Sequence, residues 1–155
     1  MVKPMLENKI PPPIIALVCA LLMWGISALS LDISFSFFVR IPLTIVIFIV
    51  GLFFIFSGLI SFRRAQTTID PLKPETVSSL VRTGIYHFSR NPMYVGLVFV
   101  LLALFVFLGS ALSIIGIIGF VLYMNEFQIK SEERALKKNF GVEFSEYQAK
   151  VRKWL

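Results

Sequence analysis

Arg82, Tyr86, His87, Arg90, Asn91 and Tyr94 fall within one short stretch, at the mouth of a long apolar run that begins near Met93. Two guanidinium groups, an imidazole, an amide and two phenols at this spacing offer anion recognition and proton transfer. Asn91-Pro92 reads as a helix start: Asn is a good N-cap, and Pro is tolerated at the first helical position because its missing N–H would be unpaired there anyway. The free N–H groups and the positive dipole end of that helix then point back at the polar cluster, where a carboxylate or phosphate can bind. His87 is a candidate general base, since imidazole exchanges protons near neutrality. A plainer reading stands beside this one: a basic anchor at the edge of a membrane helix, its side chains snorkelling to the headgroups. A second acidic and basic group follows at 126–137, with Glu132 and Glu133 adjacent. The lone Cys19 lies inside an apolar run, and no zinc-like spacing is present.

The surrounding chain reads as membrane helices. Of its 155 residues 57% are hydrophobic and 16 are Phe, against about 45–50% apolar for a soluble domain. The net charge is +6, but the basic residues sit in connecting segments and so bear on membrane topology rather than on nucleic acid. Residues 14–31 and 41–62 each approach the roughly 20 residues that span a bilayer. Pro42 falls in the first turn of the second run. Gly51, Ser57 and Gly58 permit close helix contact there. The 34–38 segment between the two runs is expected to line the interface.

Residues 63–91 form a long polar connection, with Asp70-Pro71 and Lys73-Pro74 as extended or turn dipeptides. Residues 92–124 would run about 50 Å as one straight helix, too long for a core of roughly 30 Å. Gly109-Ser110 therefore predicts a tight hairpin. The fourth helix continues past the membrane through Asn125, Glu126, Gln128 and Lys130 to a C-terminal cap at Gly141. A short amphipathic helix over 142–153 follows, with Phe144, Tyr147, Val151 and Trp154 on one face and Tyr147 and Trp154 suited to the interface. Glu126 is either a functional carboxylate or a polar contact with the 63–91 connection.

The expected fold is thus all-α: an integral membrane bundle of about four transmembrane helices with a helical cytoplasmic tail. Lys3 and Lys9, the five basic residues of 63–91 (Arg63, Arg64, Lys73, Arg82, Arg90) and the seven after Asn125 (Lys130, Arg134, Lys137, Lys138, Lys150, Arg152, Lys153) all fall on one side in this topology. The opposite side carries only Asp32 and Arg40. Both termini are then cytoplasmic. Residues 1–62 supply two spans and 63–155 a binding region, within one structural domain. The absence of a retained organelle signal suits a bacterial inner membrane.

Two motifs stand together in this frame. One runs from Leu80 through Arg82, Gly84 and Tyr86 to Arg90-Asn91-Pro92-Met93-Tyr94-Val95-Gly96. The other is Glu132-Glu133-x-x-Leu136, followed by Phe140-Gly141, Tyr147 and Val151-Arg152-x-Trp154. Over roughly 63–155 the chain resembles the isoprenylcysteine carboxyl methyltransferase and phospholipid methyltransferase superfamily of integral membrane enzymes. The resemblance implies S-adenosylmethionine as methyl donor, S-adenosylhomocysteine as product, and a cofactor pocket made by the last hairpin and the tail. It also implies lipid-like or isoprenylated acceptors that arrive sideways from the bilayer.

The positions that match the family are Tyr86, Arg90, Pro92, Tyr94, Gly96, Glu132, Glu133 and Arg152; Asn91 joins them as the helix start. Arg90 and Asn91 would face the donor's carboxylate, Glu132 or Glu133 its ammonium or ribose, and Tyr86 and Tyr94 its cation. Gly96 would allow close backbone approach. Arg152 and His87 are the catalytic candidates. His87 stands where relatives often carry Arg, and Phe144 where Tyr is common; unable to hydrogen-bond, Phe144 is excluded from the site. Phe99, Leu101, Leu102, Phe105 and Phe107 are expected to form the wall that holds an acyl or prenyl chain. A reductase resembling the steroid 5α-reductase group, using NADPH, and a non-enzymatic scaffold or transporter subunit are the alternatives. The acceptor atom, carboxylate oxygen, amine nitrogen or thiol sulfur, stays open.

Overall fold

The computed structural model describes residues 9–29, 36–66, 73 and 76–155. Lys3, Asp32, residues 34 and 35, Asp70-Pro71, Pro74 and Glu75 lie outside them. Among the described residues every regular element is helical: α1 (Pro12–Ser27), α2 (Phe37–Arg64), a 3₁₀ turn (Gly84–His87), α3 (Pro92–Leu108), a 3₁₀ turn (Ala111–Ser113), α4 (Ile114–Tyr123), a π turn (Met124–Ile129) and α5 (Lys130–Lys150).

Local chemistry sets most of the boundaries. Pro12 and Pro92 open α1 and α3, each in the first turn, where a missing N–H costs nothing. α3 ends at Gly109, whose φ of 62° is the left-handed cap glycine favours. The hairpin expected at Gly109-Ser110 is therefore present. α2 starts at Phe37, earlier than the apolar run implied, and this puts Pro42 inside the helix rather than in its first turn. The Thr44 hydroxyl, at 2.9 Å, donates to the Arg40 carbonyl one turn back. Gly141 breaks the tail helix as expected, though as a kink with φ 51° and ψ −115° rather than a left-handed cap: two helical pieces meet there, and the second runs on to Lys150.

The tightest packing joins α2 to α3 through glycine. A Cβ built on Gly96 would lie 2.5 Å from Ile55 Cγ1 and 2.7 Å from the Gly51 carbonyl oxygen. One on Gly51 would lie 2.9 Å from the Gly96 carbonyl oxygen. The two backbones touch, as small residues allow between helices in lipid. α1 lies against α3 and α4, with Met23 pressed on Gly116. Met23, Leu101, Phe120, Met124 and Ile129 fill the core between them. The outward faces are apolar as well: Leu17, Leu21 and Trp24 of α1, Ile45, Ile49, Phe53 and Phe56 of α2, and Ile115, Ile118 and Leu122 of α4 are exposed. A belt of that extent marks a surface that meets lipid or a partner rather than water.

Among the described residues two helices are long and apolar enough to cross a membrane, Phe37–Arg64 and Ala111–Lys150, the second kinked at Gly141. The second has 40 residues, or about 60 Å at about 1.5 Å per residue, twice a bilayer core. Its charges begin at Glu126, so only its first part is apolar. The other two apolar helices are shorter, 16 and 17 residues. Pro11 to Pro13, Phe62, Asn91 and Glu132 line one cavity. The start of α1, the end of α2, the start of α3 and the start of α5 therefore meet at one end of the bundle, and the helices alternate in direction.

The α2–α3 contact carries a test. Gly96→Ala forces the two backbones apart and is expected to cost about 1–3 kcal/mol, as overpacking does. Gly119→Ala meets nothing within 4 Å and is expected to be neutral or to gain up to about 1 kcal/mol of helix propensity. Thermal unfolding in detergent distinguishes them; equal melting temperatures would contradict the close approach.

Candidate active site at the end of the bundle

The segment before α3 and the end of the tail are stitched together by backbone and side chain. The Arg90 amide donates to the Arg152 carbonyl at 3.0 Å. Arg90 Nη1 donates to the Gln148 and Val151 carbonyls at 2.9 and 3.0 Å, and Nη2 pairs with Glu133 Oε1 at 2.7 Å. Asn91 Nδ2 donates to the Lys153 carbonyl at 2.9 Å. The Tyr147 hydroxyl donates to the Tyr86 carbonyl at 2.7 Å, and Trp154 Nε1 to Asn125 Oδ1 at 3.1 Å. The last tail carbonyls after the kink are thus taken up by Arg90 and Asn91. Arg90 Nε, buried, has no partner among the described residues.

This stitching closes a cavity of about 400 Å³, within the roughly 300–1,000 Å³ of small-molecule sites. Tyr86, Arg90, Asn91, Tyr94, Glu132 and Glu133 line it, so six of the residues singled out in the sequence meet there. The other four do not line it. His87 is exposed on the 3₁₀ turn. Pro92 is buried beside Met93, at the point where α3 meets Gly58 of α2. Gly96 is spent on the contact with Gly51 and Ile55. Arg152 has an exposed side chain and offers only its carbonyl.

Phe144, excluded on the sequence for lacking a hydroxyl, is 2% exposed and lines the cavity by shape alone. Tyr147 and Trp154 are not an interfacial belt: Tyr147 is buried in a cluster with Phe144 and Val151, and Trp154 packs against the main core. Glu126 pairs with Lys130 on its own exposed helix face, and no hydrogen bond or ion pair joins it to the described residues of the 63–91 connection.

The apolar wall also differs from expectation. Phe99 stacks on Phe54, Leu101 is in the core, Leu102 and Phe105 pack against it, and Phe107 is exposed. The wall comes instead from Ile55 and Phe62 of α2, from Val81, Met93 and Leu97, and from Leu136. The reason is geometric: the cavity sits at one end of α3, and residues beyond 97 lie too far along the helix to reach it.

Glu132 dominates the electrostatics. Oε1 accepts from the Tyr94 hydroxyl at 2.5 Å and from Gln128 Nε2 at 2.7 Å. No cationic side chain pairs with the Glu132 carboxylate among the described residues. Glu132 lies beyond the apolar part of its helix. Burial pushes its carboxyl up to about 7; the bonds from Tyr94 and Gln128 pull it back, and Glu133 pushes it further. Burial likewise raises the Tyr86 hydroxyl well above its usual value, with Tyr147 and Glu132 adding to the shift. It raises Tyr147 too, against the opposing pull of Arg90 and Arg82. Gln128, 1% exposed on the π turn, reads in the sequence only as a helix former. Its signal in the sequence was an amide set between Phe127 and Ile129. Among the described residues no group of three His, Cys, Asp or Glu side chains is placed to hold a metal ion. The arrangement is chemically suited to binding and orienting a ligand: a half-buried carboxylate for a cation, a guanidinium N–H for an anion, and apolar walls that exclude water.

Arg90 yields a prediction about this assembly. Arg90→Ala leaves two tail carbonyls unpartnered and Glu133 without its cation, with only the long 3.5 Å bond from Gln148 Nε2, and is expected to cost about 3 kcal/mol, the low end for breaking a buried pair because Glu133 keeps some solvent contact. Arg90→Lys keeps the charge but cannot span the fork, so its loss is intermediate. Melting temperature and protease cleavage of the tail report both; a tail as resistant in Arg90→Ala as in the natural protein would contradict the clamp.

Comparison with known proteins adds to this geometry. The chain matches the phospholipid methyltransferase family over residues 39–143, from the first turn of α2 past Glu132 and Glu133. An uncharacterized protein of Haemophilus influenzae is 46% identical over 63 residues, which is 41% of this chain and the whole of that protein. No solved structure matches. With most of its length, both acidic positions and the Arg90-Asn91-Pro92 helix start inside the matched interval, the chain belongs to the phospholipid methyltransferase family, a family of membrane methyltransferases.

Proposed function

We propose that the protein transfers a methyl group from S-adenosylmethionine to a lipid-like amphiphile at the cytoplasmic face of a membrane. The observation that carries this reading is Glu132: a half-buried carboxylate without a cationic partner among the described residues, lining a cavity whose walls are mostly aromatic and aliphatic side chains. Burying such a group is costly unless a cation comes to meet it. S-adenosylmethionine, when bound, supplies an electrophilic methyl group on a sulfonium centre and brings an ammonium and a carboxylate.

Each of these has a fitting counterpart. Glu132 Oε2 takes a cationic group, Arg90 Nε and the helix start at Asn91 face the carboxylate, and the rings of Tyr86 and Tyr94 border the cation. Phe62, Phe144 and Leu136 exclude water, so that the acceptor's head group and the methyl donor meet in a dry, aligned site. Alignment and desolvation supply most of what a direct displacement needs. Residues 63–155 hold the polar part of the site. Residues 1–62 frame it and contribute the apolar side through Ile55 and Phe62, the side on which an acyl or prenyl chain would lie.

The topology proposed is four spans with both termini cytoplasmic. The alternating helices, the lipid-like exterior of α1, α2 and α4, and the basic residues gathered at the cavity end support it. α1 and α3, at about 24 and 26 Å, would cross a core of roughly 30 Å with some local thinning. A bacterial inner membrane remains the proposed location.

Two measurements test the reading. Glu132→Gln is expected to weaken S-adenosylhomocysteine binding by tenfold to over a hundredfold, the loss of about 1.5–3 kcal/mol for one charge-assisted contact; titration calorimetry on folded variant protein decides it, and unchanged affinity removes Glu132 from the site. In a Cys19→Ala background, cysteines placed at Ser36 and Leu112, both exposed, are expected to react with an impermeant reagent only from the outer side. Reaction from the cytoplasmic side would reverse the orientation.

A further inference from the structure

A carboxylate can present either oxygen, and at Glu132 the choice is made for it. Gln128 Nε2 and the Tyr94 hydroxyl both donate to Glu132 Oε1. They come from different elements, Gln128 from the π turn and Tyr94 from α3. Gln128 is 1% exposed, and Ile129 beside it and Met124 one turn back are fully buried in the core. The amide therefore has no solvent to turn towards.

The π turn is what makes this possible. Its i→i+5 bonding inserts one residue into the helical phase, about 100° of rotation. The lipid-facing register of α4, with Ile115, Ile118 and Leu122 outward, then no longer dictates where the residues after the turn point. Past the turn, Glu132 and Glu133 line the cavity. Asn125, also on the turn, is held by Trp154 of the tail. The turn is thus fastened on one side to the core and on the other to the segment that closes the site.

We propose that Gln128 is a positioning residue of this site: its side-chain amide, with the Tyr94 hydroxyl, holds one oxygen of Glu132 and so fixes the other as the acceptor for the cationic group of the bound methyl donor. The second half of this statement rests on the function proposed above; the first does not. The groups that face Glu132 are Tyr94 from α3, Tyr86 from the 3₁₀ turn, Gln128 from the π turn and Glu133 beside it, the last neutralised by Arg90.

The first experiment needs no ligand. The melting temperature of the full chain in detergent is followed from pH 5 to 9 for the natural protein, Glu132→Gln and Gln128→Met, the last keeping the shape but not the amide. Glu132 has a folded value raised from 4.5 to about 7. The natural protein should therefore lose stability relative to Glu132→Gln as pH rises through that window. In Gln128→Met a bond that favours the ionised form is gone, so the loss should continue to higher pH. Tyr94→Phe removes the other bond to the same oxygen and should move the profile the same way; it decides the matter if Gln128→Met does not fold.

The second experiment titrates S-adenosylhomocysteine from pH 5.5 to 8.5. Affinity of the natural protein should rise through neutrality as Glu132 ionises. In Gln128→Met it should be about tenfold weaker at pH 7 and should recover at the alkaline end. Unmoved stability profiles in the variants, or a loss of affinity equal at every pH, overturn the proposal and leave Gln128 a packing residue. A natural protein that does not bind S-adenosylhomocysteine, yet shows the shifted stability profiles, overturns the methyl-donor reading and the role of the second oxygen while Gln128 still holds the first.

Discussion

Arg90 carries its charge in a place that is 9% exposed at the side chain, and most of the architecture around the cavity follows from what that charge requires. A guanidinium cannot shed its proton; it must be surrounded by acceptors or left in water. Here the acceptors are two tail carbonyls and Glu133. Helix ends leave carbonyls without intrahelical partners, and the end of α5 supplies them at the distance Arg90 can reach. One side chain thus closes the tail over the bundle, satisfies a helix terminus, and orients Glu133. Its planar fork explains why a guanidinium stands here, since an ammonium offers a point charge and no fixed geometry.

The adjacent carboxylates are treated in opposite ways. Glu133 is neutralised by Arg90. Glu132, one residue away, receives only neutral donors from Tyr94 and Gln128, and burial holds its carboxyl near 7. An exposed pair such as Arg82–Glu143 contributes tenths of a kcal/mol, and its loss would change little. The pair at the cavity separates one acid that binds the protein to itself from another that, in the function proposed above, is left for a ligand. Such a separation of two like groups by environment is a common sign of a functional site.

Rigidity in this region comes from backbone contact rather than from a large core. Gly51 and Gly96 bring α2 and α3 together at a distance no side chain tolerates, and this fixes the platform from which Tyr86, Arg90, Asn91 and Tyr94 project. Gly96 therefore serves the site without touching a ligand. The motif that contains it mixes two kinds of residue: some line the cavity, and Pro92 and Gly96 hold the helix that presents them.

The sequence alone determined the helical, lipid-facing character of the chain, because hydrophobic run length and the placement of charge are local properties. It also determined the start of α3 at Pro92 and the hairpin at Gly109, because proline and glycine constrain the backbone whatever surrounds them. The pairing of the 84–91 segment with the tail was legible only as two motifs far apart; which atoms join them depends on contacts across about 60 residues. Tertiary structure decided the rest. It sent His87 and the Arg152 side chain to the surface, brought Phe144 inward by shape, and moved the apolar wall from the middle of α3 to its start and the facing end of α2. It introduced a π turn that no periodicity announces, since a shift of one residue leaves composition unchanged while turning every later side chain to a new face. The role of Gln128 lies wholly on that side of the division: it depends on the distance to one oxygen of Glu132, a quantity set by how three elements pack.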